Sequence, residues 1–185
     1  RRFSEWLAGR SRVPKMNINW SPGEEIQVDW AGRKLSLTGE DGATVPVSLF
    51  VATSPYSDYT FVRASLDMGT QSWLEHHVAM FEFFGGAPLW LAPDNLATGV
   101  VFEGRNRSIR PAYAELAGHY GCNVLPARVR APRDKAAVES HVRIMANRIV
   151  GTLSQMEFSS IDQLNEAVVK YMRRTYNLLV GERTA

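Results

Sequence analysis

Ile26-Gln27-Val28-Asp29-Trp30 decides how this chain is read, because it sets an acid in the middle of a short extended run. Ile26, Val28 and Trp30 alternate with Gln27 and Asp29, the period of two of a strand with one buried face. Asp29 is therefore expected to be held rigidly on the face opposite the apolar one. Two further acids stand at similarly marked places. Asp94 follows Leu89-Trp90-Leu91, a strand expected to end at Pro93, and Glu139 falls on an expected long helix. The chain is read as a scaffold that brings these three carboxylates together to hold metal.

Outward from Asp29, Leu35 and Leu37 alternate with polar neighbours, Gly39-Glu40-Asp41-Gly42 forms a turn, and Val45, Val47, Leu49 and Val51 alternate again. Pro46 is placed early in that strand or at an edge. A turn over Pro55 to Asp58 leads to a short strand around Phe61 to Ala64, so the expected start is an antiparallel meander. The period changes after Gly69: Thr70 can cap a helix with Leu74, Val78 and Phe81 on one side, stopped by Gly85-Gly86. Its His76 and His77 have no carboxylate partner at ligand spacing, so they are read as packing or surface residues. The helix is expected to cross over to the strand that ends at Pro93.

Asp94-Asn95 directly after a strand has the look of a site, since ligands meet open α/β sheets at strand ends, although a plain Asx turn would look the same. Residues 99 to 110 read as a polar, basic loop with Arg105, Arg107 and Arg110; Pro111 then opens a helix ending at Gly121, and Asn123-Val124-Leu125 is a short strand. Arg128, Arg130, Arg133 and Lys135 crowd into eight residues before a helix from about Asp134 to Leu153. Val138, Val142, Met145 and Ile149 form its apolar stripe. Lys135, Glu139, Arg143 and Asn147 form a polar stripe beside it, which by itself also fits a solvated helix face with paired charges. Ser160 with Gln163 suggests a capping box for a last amphipathic helix.

Composition narrows the classes. The 185 residues suffice for one domain with a sizeable core, and 45% hydrophobic with 22% charged is globular material. A net charge of +2 means that any nucleic-acid contact must come from where the basic residues lie. A single cysteine, Cys122, excludes an internal disulfide and a cysteine-rich zinc site and fits a reducing compartment. There is no apolar run near the roughly 20 residues of a membrane span and no signal-peptide pattern, so a cytoplasmic place is expected. The expected organisation is a basic arm or linker over 1–23, a core over 24–155 and a carboxy-terminal helix and tail over 156–185.

Three acids sharing a cleft need cations between them, and oxygen ligands without cysteine or a histidine cluster suit Mg²⁺ or Mn²⁺. Two such ions roughly 3.5 to 4 Å apart support phosphodiester cleavage or transfer.

These pieces, in their order, resemble the catalytic core of the IstA transposases of bacterial insertion elements, within the retroviral-integrase-like group of the ribonuclease H fold. The residues that carry the resemblance are Ile26 to Trp30, Pro93-Asp94-Asn95-Leu96 with Thr98, Tyr113 to Ala117 with His119-Tyr120-Gly121, and Pro126 to Arg128 through Pro132 to Lys135 and Val138-Glu139. The resemblance implies a mixed five-stranded α/β sheet, antiparallel over its first three strands and then parallel, flanked by helices. It implies a DDE recombinase in which Asp29, Asp94 and Glu139 are catalytic and hold two Mg²⁺ or Mn²⁺ ions, exposing 3′-hydroxyls at element ends that then attack target DNA. Lys135, Arg143, Arg128, Arg130, Arg133, Arg105, Arg107 and Asn95 are the expected DNA contacts. The implied partners are transposon-end and target DNA, a helper ATPase of the AAA+ kind and further copies of the chain. The 45 positions from Asp94 to Glu139 exceed the usual retroviral-integrase spacing. A hydrolysis-only ribonuclease H-like nuclease and a non-catalytic DNA-binding or assembly module are the competing readings.

Overall fold

The structure, a computed structural model, describes residues 20–31, 35–93, 100–103, 106–125, 144 and 146–177; for 100–103, 106–108, 176 and 177 it describes the backbone alone. The meander is present. Strands β1 (Glu25–Trp30), β2 (Leu35–Thr38), β3 (Thr44–Thr53) and β4 (Thr60–Ser65) follow one another, with β3 antiparallel to the other three. Asp29 pairs with Val51, and β2 takes up the first part of β3, Leu35 opposite Val47. Pro46 lies near the start of β3, exposed, opposite Ser36.

Helix α1 (Thr70–Phe84) follows. Its cap is not Thr70 as expected: the N-cap is Gly69, without a side-chain cap bond. The acceptor at this end is Asp67, whose Oδ1 takes Gly69 N–H at 2.6 Å and Ser72 Oγ–H at 2.8 Å. Those two bonds favour the charged carboxylate, so Asp67 titrates below the usual range, with the Gly69 bond the larger cause. At the other end Gly85 has φ 75°, a conformation that costs a Cβ-bearing residue, and Gly86 N–H returns to Phe81 O.

Strand β5 (Trp90–Pro93) runs parallel to β1, Val28 beside Pro93. Within the loop expected over 99–110, β6 (Val100–Glu103) and β7 (Asn106–Ile109) instead pair antiparallel, apart from the main sheet. Val100, Val101 and Phe102 followed by glycine carried that signal, which the density of arginines obscured. Helix α2 (Pro111–His119) has Pro111 in its first turn as expected, and β8 (Asn123–Val124) pairs parallel to β5. Residues 146–153 are helical (α3), and α4 (Ile161–Met172) passes into a π-helical turn over Arg173–Asn177. Ser160 Oγ accepts Gln163 N–H at 3.2 Å, while Gln163 Oε1 reaches one residue further back than the usual box, to Ser159 N–H.

The sheet is buried on both faces. On one, Ile26, Val28, Trp30, Phe50, Ala52 and Leu91 pack against Trp73, Met80 and Phe81 of α1 and Tyr113 and Ala117 of α2. On the other, Leu35, Leu37, Val47, Leu49, Val51 and Val62 pack against Ala146, Ile149, Val150 and Leu153 of α3 and Leu164, Val168 and Met172 of α4. A strand covered on both sides must be apolar at successive positions, which is why Leu49-Phe50-Val51-Ala52 breaks the alternation.

Both histidines are packing residues. His77 is fully buried; its Nδ1–H donates to Trp73 O at 2.8 Å and its Nε2 accepts Tyr113 O–H at 3.0 Å, which joins α1 to α2 and fixes a neutral tautomer. Burial pushes the His77 pKa down to about 3 and that of His76 to about 4, with Arg63 adding to the second. Each imidazole is neutral when folded and free to protonate near 6.5 when unfolded. Their contribution to stability is therefore complete above pH 6.5 and lost as the pH falls towards 4 and then 3. Denaturation at pH 7, 6 and 5 is expected to show a fall approaching about 1.4 kcal/mol per pH unit for each imidazole below its unfolded pKa. A stability curve that a double replacement of His76 and His77 leaves equally steep would count against this origin.

Candidate functional site

Asp29 sits where the two patterns of pairing meet. Its strand is flanked by antiparallel β3 on one side and parallel β5 on the other, and Asp29 is the residue after Val28 in the Val28–Pro93 pair. Ile26, Val28 and Trp30 point into the α1/α2 layer, so Asp29 and Ala31 belong to the opposite face, the one that carries Val51 and α3. Its side chain is half-buried, and its Oδ1 accepts Trp30 N–H at 2.8 Å. Behind it the Trp30 indole is wedged between Phe50, at a ring distance of 5.6 Å, and His76, at 5.7 Å. The carboxylate thus rests on a backbone that has little freedom.

The parallel strands β1, β5 and β8 run in one direction, so their carboxyl ends share one end of the sheet. Leu125 N–H extends that pairing to Leu91 O. This is where an open α/β sheet presents groups to a ligand.

Of the other expected site residues, Asp94, Asn95, Arg105, Arg128, Arg130, Arg133, Lys135, Glu139 and Arg143 lie outside the described residues. Arg107 is in β7, with only its backbone described. Among the described residues no group of three or more His, Cys, Asp and Glu side chains could hold a metal ion. The reading from sequence missed Glu25, which is buried on the Asp29 face of β1 and accepts Gln27 Nε2–H at 2.9 Å. The alternation Glu25-Gln27-Asp29 carried that signal, beginning one residue before the run Ile26 to Trp30.

Among the described residues, His76, His77 and Cys122 are kept from this face. His76 and His77 are packed among the rings of the opposite layer. Cys122 is buried with its thiol pKa raised by that burial, and its S–H points to Ala117 O at 3.5 Å. Among the described residues, the donors on the Asp29 face of β1 are the oxygens of Glu25 and Asp29, the chemistry of a hard divalent cation.

No family model matches the chain. "Putative transposase y4uI" of Sinorhizobium fredii is 33% identical over 175 residues, 93% of this chain and 34% of that protein. "Putative transposase for insertion sequence IS408" of Burkholderia multivorans is 29% identical over 188 residues, 98% of this chain and 36% of that protein. Among solved structures, the HTLV-2 integrase catalytic core domain in complex with magnesium matches with a TM-score of 0.56 at 12% identity, over 85% of this chain and 90% of that one.

The fold is that of the retroviral integrase catalytic cores, the ribonuclease H-like fold of DDE enzymes. In sequence the chain is similar to these transposases of bacterial insertion sequences. It spans about a third of the length of these curated relatives.

Proposed function

We propose that this chain is the catalytic core of a DDE transposase, in which Asp29, Asp94 and Glu139 together hold two Mg²⁺ or Mn²⁺ ions. The observation that carries the proposal is the parallel pairing of Val28 with Pro93, because in the sequence an acid directly follows each of the two. Support for Glu139 comes from α3, whose Ala146, Ile149, Val150 and Leu153 pack on the sheet face to which Asp29 belongs. Glu139 precedes Ala146 by seven positions, two helical turns to within about 20°, so a helix of the expected length turns Glu139 to that same face. When bound, the cations supply Lewis-acid stabilisation of charge on the attacking and departing oxygens of a phosphodiester.

The chain's own part is positioning. The three carboxylates together fix where the scissile phosphate sits. The cationic groups Arg105, Arg107, Arg128, Arg130, Arg133, Lys135 and Arg143, with the Asn95 amide, hold the DNA backbone without reading its sequence. The proposed substrates are the 3′ ends of the mobile element and a target duplex, and the proposed partners are further copies of the chain and a helper ATPase, in the bacterial cytoplasm. Among the described residues, no helix is long and apolar enough to cross a membrane.

Labelled element-end DNA incubated with the chain and Mg²⁺ or Mn²⁺ tests this. Cleavage followed by joining of the new 3′-hydroxyl to a target duplex is the expected result. Cleavage without joining would replace the proposal by a hydrolytic nuclease, and neither reaction, with helper present, by an assembly module. Lys135→Ala is expected to weaken binding evenly across sequences and to lower the slope of log affinity against log salt by about one, measured by fluorescence anisotropy. An unchanged affinity and slope would remove the phosphate contact assigned to it.

A further inference from the structure

The outer edge of β4 presents backbone hydrogen-bonding groups to a groove. Ala64 N–H donates to Asn165 Oδ1 at 2.7 Å and Ala64 O accepts Asn165 Nδ2–H at 3.3 Å, so one amide side chain occupies the place of a neighbouring strand residue. Since Ala64 turns both groups away from β3, alternation turns those of Val62 the same way. Among the described residues, the outward N–H and C=O of Val62 have no hydrogen-bond partner. They face a groove of about 1000 Å³, walled by Ala79 of α1 on one side and Val169 of α4 on the other.

The groove is charged unevenly. Arg63, Lys170, Arg173 and Arg174 line it against Asp162 and Glu166. Arg173 and Arg174 lie in the π-helical turn that ends α4, a wider winding found often at functional positions. We propose that this groove docks an extended segment of a partner protein, rich in acidic residues alternating with β-branched ones, which adds to β4 as a further strand. The backbone of such a segment satisfies Val62, its acids turn to Lys170, Arg173 and Arg174 on the α4 side, and its apolar side chains turn to the other side and cover the half-buried Phe61. A nucleic-acid backbone suits the groove less, because it brings phosphates against Asp162 and Glu166 and cannot extend the strand ladder.

A short fluorescein-labelled peptide alternating glutamate with valine tests this by anisotropy, with a lysine–valine peptide and a random DNA duplex as competitors. The glutamate peptide is expected to bind, and Lys170→Glu or Arg173→Glu, both at exposed positions, to weaken it about tenfold. Hydrogen exchange at the Val62 amide is the second readout, expected to slow when the peptide is bound. Absence of binding, equal binding of the lysine peptide, or an unprotected Val62 amide in the complex would overturn the proposal. Displacement of the peptide by the duplex, or protection of Val62 that grows with protein concentration alone, would overturn it in favour of DNA or a second copy.

Discussion

Asp94→Asn is expected to remove both 3′-end cleavage and strand transfer, by about 10²–10³-fold or more, with the melting temperature nearly unchanged. The position directly follows Pro93, the last residue of β5, and the substitution takes no apolar side chain away. Asparagine keeps the size and one oxygen of the side chain while removing the charge that a cation needs. The same logic holds for Asp29→Asn, where the amide oxygen can still accept Trp30 N–H, so lost activity is not a consequence of a lost backbone contact. The check is a gel assay at matched Mg²⁺ beside a thermal melt. Wild-type rates in a folded Asp94→Asn protein would refute the assignment of this residue.

The largest effect on stability is expected at Trp73. Its side chain is wholly buried, and its ring lies 5.4 Å from Phe50, 4.6 Å from His77, 5.7 Å from Tyr113 and 6.0 Å from Trp30. Trp73→Ala opens a cavity among four rings that cannot all move inward, and is expected to cost about 3–5 kcal/mol in denaturant unfolding. Trp73→Phe is expected to cost much less, because the indole N–H it removes is buried without a hydrogen-bond partner. A Trp73→Ala protein within about 1 kcal/mol of the wild type would show that this layer repacks instead of resisting.

What could be read in the sequence was whatever depends on neighbours along the chain. The alternation around Asp29 gave the strand and its two faces, Gly85 and Gly121 gave helix ends with φ of 75° and 69°, and Ser160 with Gln163 gave a cap. Contacts made across the fold left no local trace. The Asn165 amide reaches Ala64 over 101 positions, and His77 meets Tyr113 over 36, so neither could be anticipated from spacing. The β6/β7 pair was hidden for another reason: a residue type that signals charge was weighed above the β-branched run beside it. The strand and face of Asp29 were legible because a strand orients its side chains by parity alone. The assembly with Asp94 and Glu139 is a tertiary property, and it stands as a proposal built on the Val28–Pro93 register and the face that α3 covers.

The claim at the centre is that three carboxylates form one divalent-cation site. Electron paramagnetic resonance of Mn²⁺ with the chain on element-end DNA tests it most directly, for the wild type and for Asp29→Asn, Asp94→Asn and Glu139→Gln. Bound Mn²⁺ in the wild type, sharply reduced by each of the three substitutions, is the expected result. Undiminished binding in any one of the folded variants would contradict a shared site.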